Sequence, residues 1–134
     1  MVAGAGPLLA AHGLTARIET AGGDFLDGVP AGADAYLMKH IIHDWDDEHS
    51  KRILSHCRHA MAPGGKVLIA EIVVSDRPEA AFSKILDLEM LAMTTGGRER
   101  TEHEFAALLQ ASGLRMTRIV PTHSAVSIVE AVAG

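Results

Sequence analysis

Two stretches of the chain are almost continuously apolar: DAYLMKHII at 34–42 and KVLIAEIVV at 66–74. Runs of that length, bounded by turn formers, predict buried strands of a parallel sheet. Between them the period changes. From Asp46 the apolar positions are Ile53, Leu54, Cys57, Ala60 and Met61, the spacing of an amphipathic helix. Asp44 or Asp46 can cap it, Asp47 and Glu48 suit its positive end, and Arg58 and His59 suit the other. Pro63, Gly64 and Gly65 stop it. Strand, helix and strand make a βαβ unit, which favours a parallel sheet with a right-handed crossover.

The flanks read less sharply. Residues 6–12 read as the end of a helix, where Pro7 suits a first turn and Gly13 lies just past its end. Residues 17–21 predict a short strand, broken by Gly22, Gly23 and Asp24. Residues 79–93 form a largely apolar helical stretch interrupted by Lys84, Asp87 and Glu89. TEHE at 101–104 is a capping-box pattern that opens a helix to Ser112, with Gly113 ending it. Strands at 115–120 and 125–132, separated by a turn with Pro121, predict an antiparallel hairpin.

Composition narrows the class. A chain of 134 residues with 48% apolar positions suits one modest domain. The net charge of −5 leaves no basic footprint for nucleic acid. No apolar run approaches a membrane span, and MVAGAGPLLAAHG lacks the positive flank of a signal peptide, so a cytoplasmic protein is expected. The single cysteine, Cys57, excludes an internal disulfide and reads as a small buried residue on its helix.

The chemistry concentrates in HIIHDWDDEH at 40–49, three histidines and four acids in ten positions. A helical zinc pair needs histidines four apart, whereas His40 and His43 are three apart at the end of a strand. An odd separation on a strand turns them to opposite faces, so no metal site is expected. Helix capping accounts for Asp46, Asp47 and Glu48, and His49 reads as surface. His43 lies just past the carboxyl end of a buried strand, where open α/β sheets bind ligands. An imidazole there can accept a proton near neutral pH, although simple surface exposure fits as well. Lys39 and Glu71 interrupt apolar strands, which is costly without a partner. Lys39 either snorkels to solvent or binds something at the cleft, and Glu71 either forms a structural ion pair or serves the site. Glu99 suits a surface charge, and Met90 a core position.

Taken in order, GGDF at 22–25, DAYLMKHIIHDWDDEH at 34–49, APGGKVLIAEIV at 62–73 and GGRERTEHEF at 96–105 resemble S-adenosylmethionine-dependent O-methyltransferases of the plant caffeate/flavonoid type. Bacterial relatives that methylate aromatic natural products look closer still. The resemblance covers essentially the whole chain. It implies a Rossmann-like class I methyltransferase fold and transfer of a methyl group from S-adenosylmethionine to a hydroxyl of a small, aromatic acceptor, with S-adenosylhomocysteine as product. By the same resemblance His43 is the general base, and Glu71 and Glu99 flank and orient its imidazole. Asp24 and Phe25 border the adenine of the cofactor, Lys39 contacts the cofactor, and Met90 lines the acceptor pocket.

The family's glycine-rich cofactor loop and the acid that holds the ribose have no counterpart in this sequence. Neither does its N-terminal helical dimerisation domain, although family members are homodimeric. The resemblance therefore implies that residues 1–134 are the C-terminal portion of a catalytic domain, an α/β unit whose family sheet order 3-2-1-4-5-7-6 lacks its first two strands and ends in an antiparallel hairpin. It leaves two functional expectations. Either the chain carries the base and acceptor side of an O-methyltransferase, or it is an inactive fragment or partner module that another chain completes. The strand at 34–42 is expected to present an exposed apolar edge.

Overall fold

A computed structural model describes residues 2–75 and 81–134. In chain order its helices are α1 (Ala5–Ala11), α2 (Asp47–Ala60), α3 (Ala81–Met93) and α4 (Glu102–Ala111). The strands are β1 (Ala35–Lys39), β2 (Lys66–Glu71), β3 (Val73–Val74), β4 (Arg100–Thr101), β5 (Leu114–Pro121) and β6 (Ser127–Ala133). The anticipated βαβ unit is β1–α2–β2, with β1 and β2 parallel. The C-terminal hairpin β5–β6 is antiparallel and lies against β2 through β6, giving the order β1-β2-β6-β5. That is the 4-5-7-6 part of the expected sheet. A short parallel pair, β3 with β4, extends beyond the end of β2.

Local signals explain the helices that position the site. Asp46 caps α2, its carboxylate accepting the His49 N–H at 2.9 Å. Thr101 and Glu104 form a reciprocal capping box on α4. The faces of α2 and α4 pack Ile53, Leu54, Cys57, Phe105, Leu108 and Leu109 onto Val67, Ile69, Val129 and Ala131 of the sheet, all buried. Burying each Leu, Ile or Phe contributes about 1.5–3 kcal/mol, so this layer rigidly fixes the carboxyl ends of β1 and β2. On the opposite face Glu130 of β6 gathers Lys66 and Arg118.

Two expectations from local pattern do not hold. Residues 17–21 form no strand: they are exposed turn and irregular backbone with no neighbouring strand to pair with. A strand needs a partner for its N–H and C=O groups, which local composition does not reveal. The apolar run at 34–42 is also only partly strand. It leaves the sheet after Lys39, and residues 42–44 form a 3-10 turn. The expected exposed edge is present, with Leu37 of β1 68% exposed. Residues 79 and 80 of the predicted third helix lie outside the described residues.

Candidate active site

Because β1 and β2 are parallel, their carboxyl ends meet at the same end of the sheet. The chain leaves β1 through His40, whose φ of 52° is left-handed and unusual for a residue with a Cβ. It then enters the turn Ile42–Asp44 that carries His43. Glu71, the last residue of β2, holds this turn. Its Oε1 accepts the backbone N–H groups of Ile41 (3.1 Å), Ile42 (2.6 Å) and His43 (3.3 Å). Glu71 is fully buried. Burial pushes its carboxyl pKa up, against the opposing pull of the His43 charge and the three N–H donors.

Glu99 engages the ring itself. His43 Nδ1 lies 3.0 Å from Glu99 Oε1, and both side chains are largely buried. This hydrogen bond raises the pKa of His43 above its ordinary value. Burial opposes the rise, and the charges of Glu71, Glu99 and Asp44 add to it. With Nδ1 bonded to Glu99, the other ring nitrogen, Nε2, lies 3.5 Å from the half-exposed Asp44 carboxylate. The two acids therefore have different geometries: Glu99 touches the imidazole, whereas Glu71 grips the backbone beneath it.

The His40 ring stacks on His43, with centroids 5.2 Å apart and planes inclined by 28°. This corrects the expectation that the two face apart. The alternation rule applies only within a strand, and the strand ends before His40.

The segment after α3 closes the site from the other side. Gly96 takes a positive φ of 95°, and Gly97 runs so close to the turn that a Cβ would lie 2.4 Å from the His43 carbonyl oxygen. These contacts explain the paired glycines before Arg98. Beyond them the chain alternates. Glu99 points to His43, whereas Arg98 and Arg100 reach Asp47 at the start of α2. The Glu99 N–H donates to Asp87 Oδ1 of α3 at 3.0 Å. Asp87 and Arg100 did not emerge from the sequence as site residues. The available signals were an acid within an apolar helix and the alternating charges of Arg98-Glu99-Arg100.

The remaining predicted residues lie around this core. Asp24 accepts the Leu26 N–H in its own turn, and Phe25 meets the Trp45 ring edge-on at 5.9 Å. Phe25 and Lys39 line one groove of about 350 Å³ with Tyr36, Met38 and Ile41, and the exposed Lys39 lies at the end of β1. Met90 follows Asp87 by one turn of α3, and its carbonyl accepts the Thr94 N–H and hydroxyl. Cys57 is buried, and burial pushes its thiol up to about 11. Among the described residues, His43, Glu71 and Glu99 offer ligand atoms within 4.8 Å of one another. Glu71 and Glu99, distant in sequence from HIIHDWDDEH, thus stand beside the His43 ring in space.

The partial Rossmann-like sheet, with a histidine–glutamate pair at its carboxyl end, has class I methyltransferases as its structural neighbours. Residues 1–115 match the model of the O-methyltransferase domain family. The chain is 48% identical over 127 residues to the phenazine O-methyltransferase PhzM of Lysobacter antibioticus, an alignment covering 95% of this chain and 37% of that protein. The crystal structure of LaPhzM superposes with a TM-score of 0.92 at 46% identity, over 98% of this chain and 40% of that one. NcsB1 from neocarzinostatin biosynthesis, solved with S-adenosylmethionine and 2-hydroxy-5-methyl naphthoic acid, gives 0.87 at 36% identity, over 98% and 38%. The chain belongs to the O-methyltransferase domain family. It spans about two fifths or less of the length of these relatives. Among the described residues, no helix is long and apolar enough to cross a membrane.

Proposed function

We propose that residues 1–134 form the C-terminal, base-bearing portion of a catalytic domain that methylates a hydroxyl of a small aromatic molecule. The observation that carries this reading is the His43–Glu99 pair, mounted on a turn that Glu71 holds by three N–H groups. S-adenosylmethionine, when bound, supplies an electrophilic methyl group. The acceptor hydroxyl would give its proton to His43 Nε2 as its oxygen takes the methyl, the C–S bond breaking to leave S-adenosylhomocysteine. Glu99 stabilises the imidazolium through Nδ1–H and fixes the ring's tautomer, following the base–orienter logic of catalytic triads. Glu71 keeps the turn from shifting while that charge develops.

The cofactor fit rests on the groove beside β1. Its walls are mainly apolar and include an aromatic ring, Phe25, with the Lys39 ammonium at its rim, which suits a flat adenine whose ring nitrogens or ribose oxygens accept from a donor. Asp24 lies beside Phe25, and Met90 would face the acceptor. These residues supply one wall of a cofactor site. That limitation, together with the free β1 edge, favours a second reading in which this chain acts only when another polypeptide segment completes the sheet.

Both readings are testable in a hybrid where this chain replaces the matching two fifths of LaPhzM. Methyl transfer from labelled S-adenosylmethionine to a panel of phenols is expected from the hybrid. Calorimetry of the 134-residue chain alone should show no micromolar cofactor affinity. Micromolar binding by the monomeric chain would overturn the second reading, and a folded hybrid that binds cofactor but methylates no hydroxyl acceptor would overturn the first.

A further inference from the structure

His43 sits on a turn whose N–H groups are held by Glu71, but a turn also has carbonyls. The carbonyl oxygens of Ile42 and Trp45, on either side of His43 and Asp44, both accept from one side chain. Arg100 Nη1 donates to Ile42 O and Nη2 to Trp45 O, each at 3.0 Å. The same guanidinium reaches α2, where Nη2 donates to Asp47 Oδ1 at 2.8 Å and to Ser50 Oγ at 3.3 Å, and Nε donates to Asp47 Oδ1 at 3.2 Å. Arg100 is fully buried, as are Ile42 and Ser50. A guanidinium buried to this extent is costly unless its donors are met. Here they are met almost entirely by the backbone and helix that carry the base.

Arg100 is also the immediate neighbour of Glu99. One residue of the chain orients the imidazole, and the next clamps the turn on which the imidazole stands. We propose that Arg100 is a positioning residue for methyl transfer: through the Ile42 and Trp45 carbonyls and Asp47 it sets the placement of His43 against Glu99. The proposal rests on the reading of His43 as base, and it explains a buried cation that the transfer step itself does not use. Arginine is required because one planar fork must serve two carbonyls and a carboxylate at once, which the point charge of lysine does not do.

The test uses the 134-residue chain labelled with ¹⁵N at histidine. The signature is the low-field proton of His43 Nδ1–H in its bond to Glu99, assigned by its loss in Glu99→Gln. Arg100→Lys is expected to broaden or abolish this resonance. Asp47→Asn, which alters only a half-exposed partner of the guanidinium, should weaken it. Glu48→Gln, an equally acidic first-turn position that pairs with Lys51 instead, should leave it unchanged.

In the LaPhzM hybrid, Arg100→Lys should lower kcat by about 10²-fold, the cost of a misplacement near 1 Å, with the KM for S-adenosylmethionine changed less than about threefold. A folded Arg100→Lys chain with an unaltered Nδ1–H signal overturns the proposal. If that variant does not fold, an unaltered signal in Asp47→Asn overturns it instead. Failure of the base reading is seen separately, as full turnover in His43→Gln.

Discussion

His43 Nδ1 and Glu99 Oε1 stand 3.0 Å apart although 56 residues separate them in the chain. The pair forms only because β1 and β2 end together and the backbone at Gly97 can pass against the His43 carbonyl. If the pair performs proton removal, His43→Gln in the hybrid should lose about 10²–10⁴-fold in kcat, the usual contribution of a general base, while cofactor affinity stays within a few-fold. Steady-state kinetics and calorimetry read the two quantities separately. Near-wild-type turnover would show that proximity alone drives the transfer.

The same pair sets the pH dependence. Glu99 raises the pKa of His43 above 6.5, and only the neutral imidazole accepts a proton. Turnover should therefore rise with pH through a midpoint above 6.5, and Glu99→Gln should move that midpoint down. Stability follows the opposite sign. A histidine whose folded pKa is raised contributes stability that is fully present below its unfolded pKa and is lost as pH rises through the folded value. Urea unfolding of the chain should show His43→Gln to be more destabilising at pH 6 than at pH 9.

Gly97 is predicted to be intolerant of a single methyl group. A Cβ there would meet His43 O and Thr94 Oγ1 at 2.4 Å, and the first of these is backbone. Gly97→Ala should destabilise the chain by roughly 1–3 kcal/mol, the typical cost of overpacking, and should displace His43 from Glu99. Gly28 provides the control, since a Cβ there meets nothing within 4 Å. Chemical unfolding of both variants distinguishes a local clash from general sensitivity to glycine replacement.

These residues show what was legible before the structure. The β1–α2–β2 unit, the Asp46 cap, the Thr101–Glu104 box and the C-terminal hairpin follow from local period and cap chemistry, which a linear sequence contains. The strand expected at 17–21 failed because pairing is a property of neighbours. The facing of His40 was misjudged because one left-handed residue resets the phase of side chains along the chain. Arg98 and Arg100 drew no reading from the sequence, because their partner Asp47 lies more than 50 residues earlier in the chain. His43, Glu71 and Glu99 were recognisable through motif resemblance, whereas the separate contacts of Glu71 and Glu99 depend on tertiary packing.

Metal dependence separates the base reading from one in which His43 is a metal ligand. His43, Glu71 and Glu99 are close enough to share an ion, yet Nδ1 is bonded to Glu99, and one Glu71 oxygen is occupied by three backbone N–H groups. Elemental analysis of the purified chain should find no stoichiometric zinc or iron, and hybrid turnover should be unchanged by a chelator. A stoichiometric metal whose removal abolishes turnover would replace the proton-transfer role of His43 with a ligand role.

Acid stability provides a test remote from the site. Glu130 accepts from Thr117 Oγ1 (2.8 Å), Arg118 (3.1 Å) and Lys66 (3.1 Å) on the face of the sheet opposite the helices. These donors, with Thr117 first, hold its carboxyl down to about 2. A carboxylate with a depressed folded pKa contributes stability above its unfolded value and loses it as pH falls through the folded one. The window therefore runs from about pH 4.5 down to about pH 2. Glu130→Gln should destabilise the chain at pH 7, and the difference from the parent should shrink across that window. A constant difference throughout would assign the effect to packing of the amide instead of to the charge that joins β2, β5 and β6.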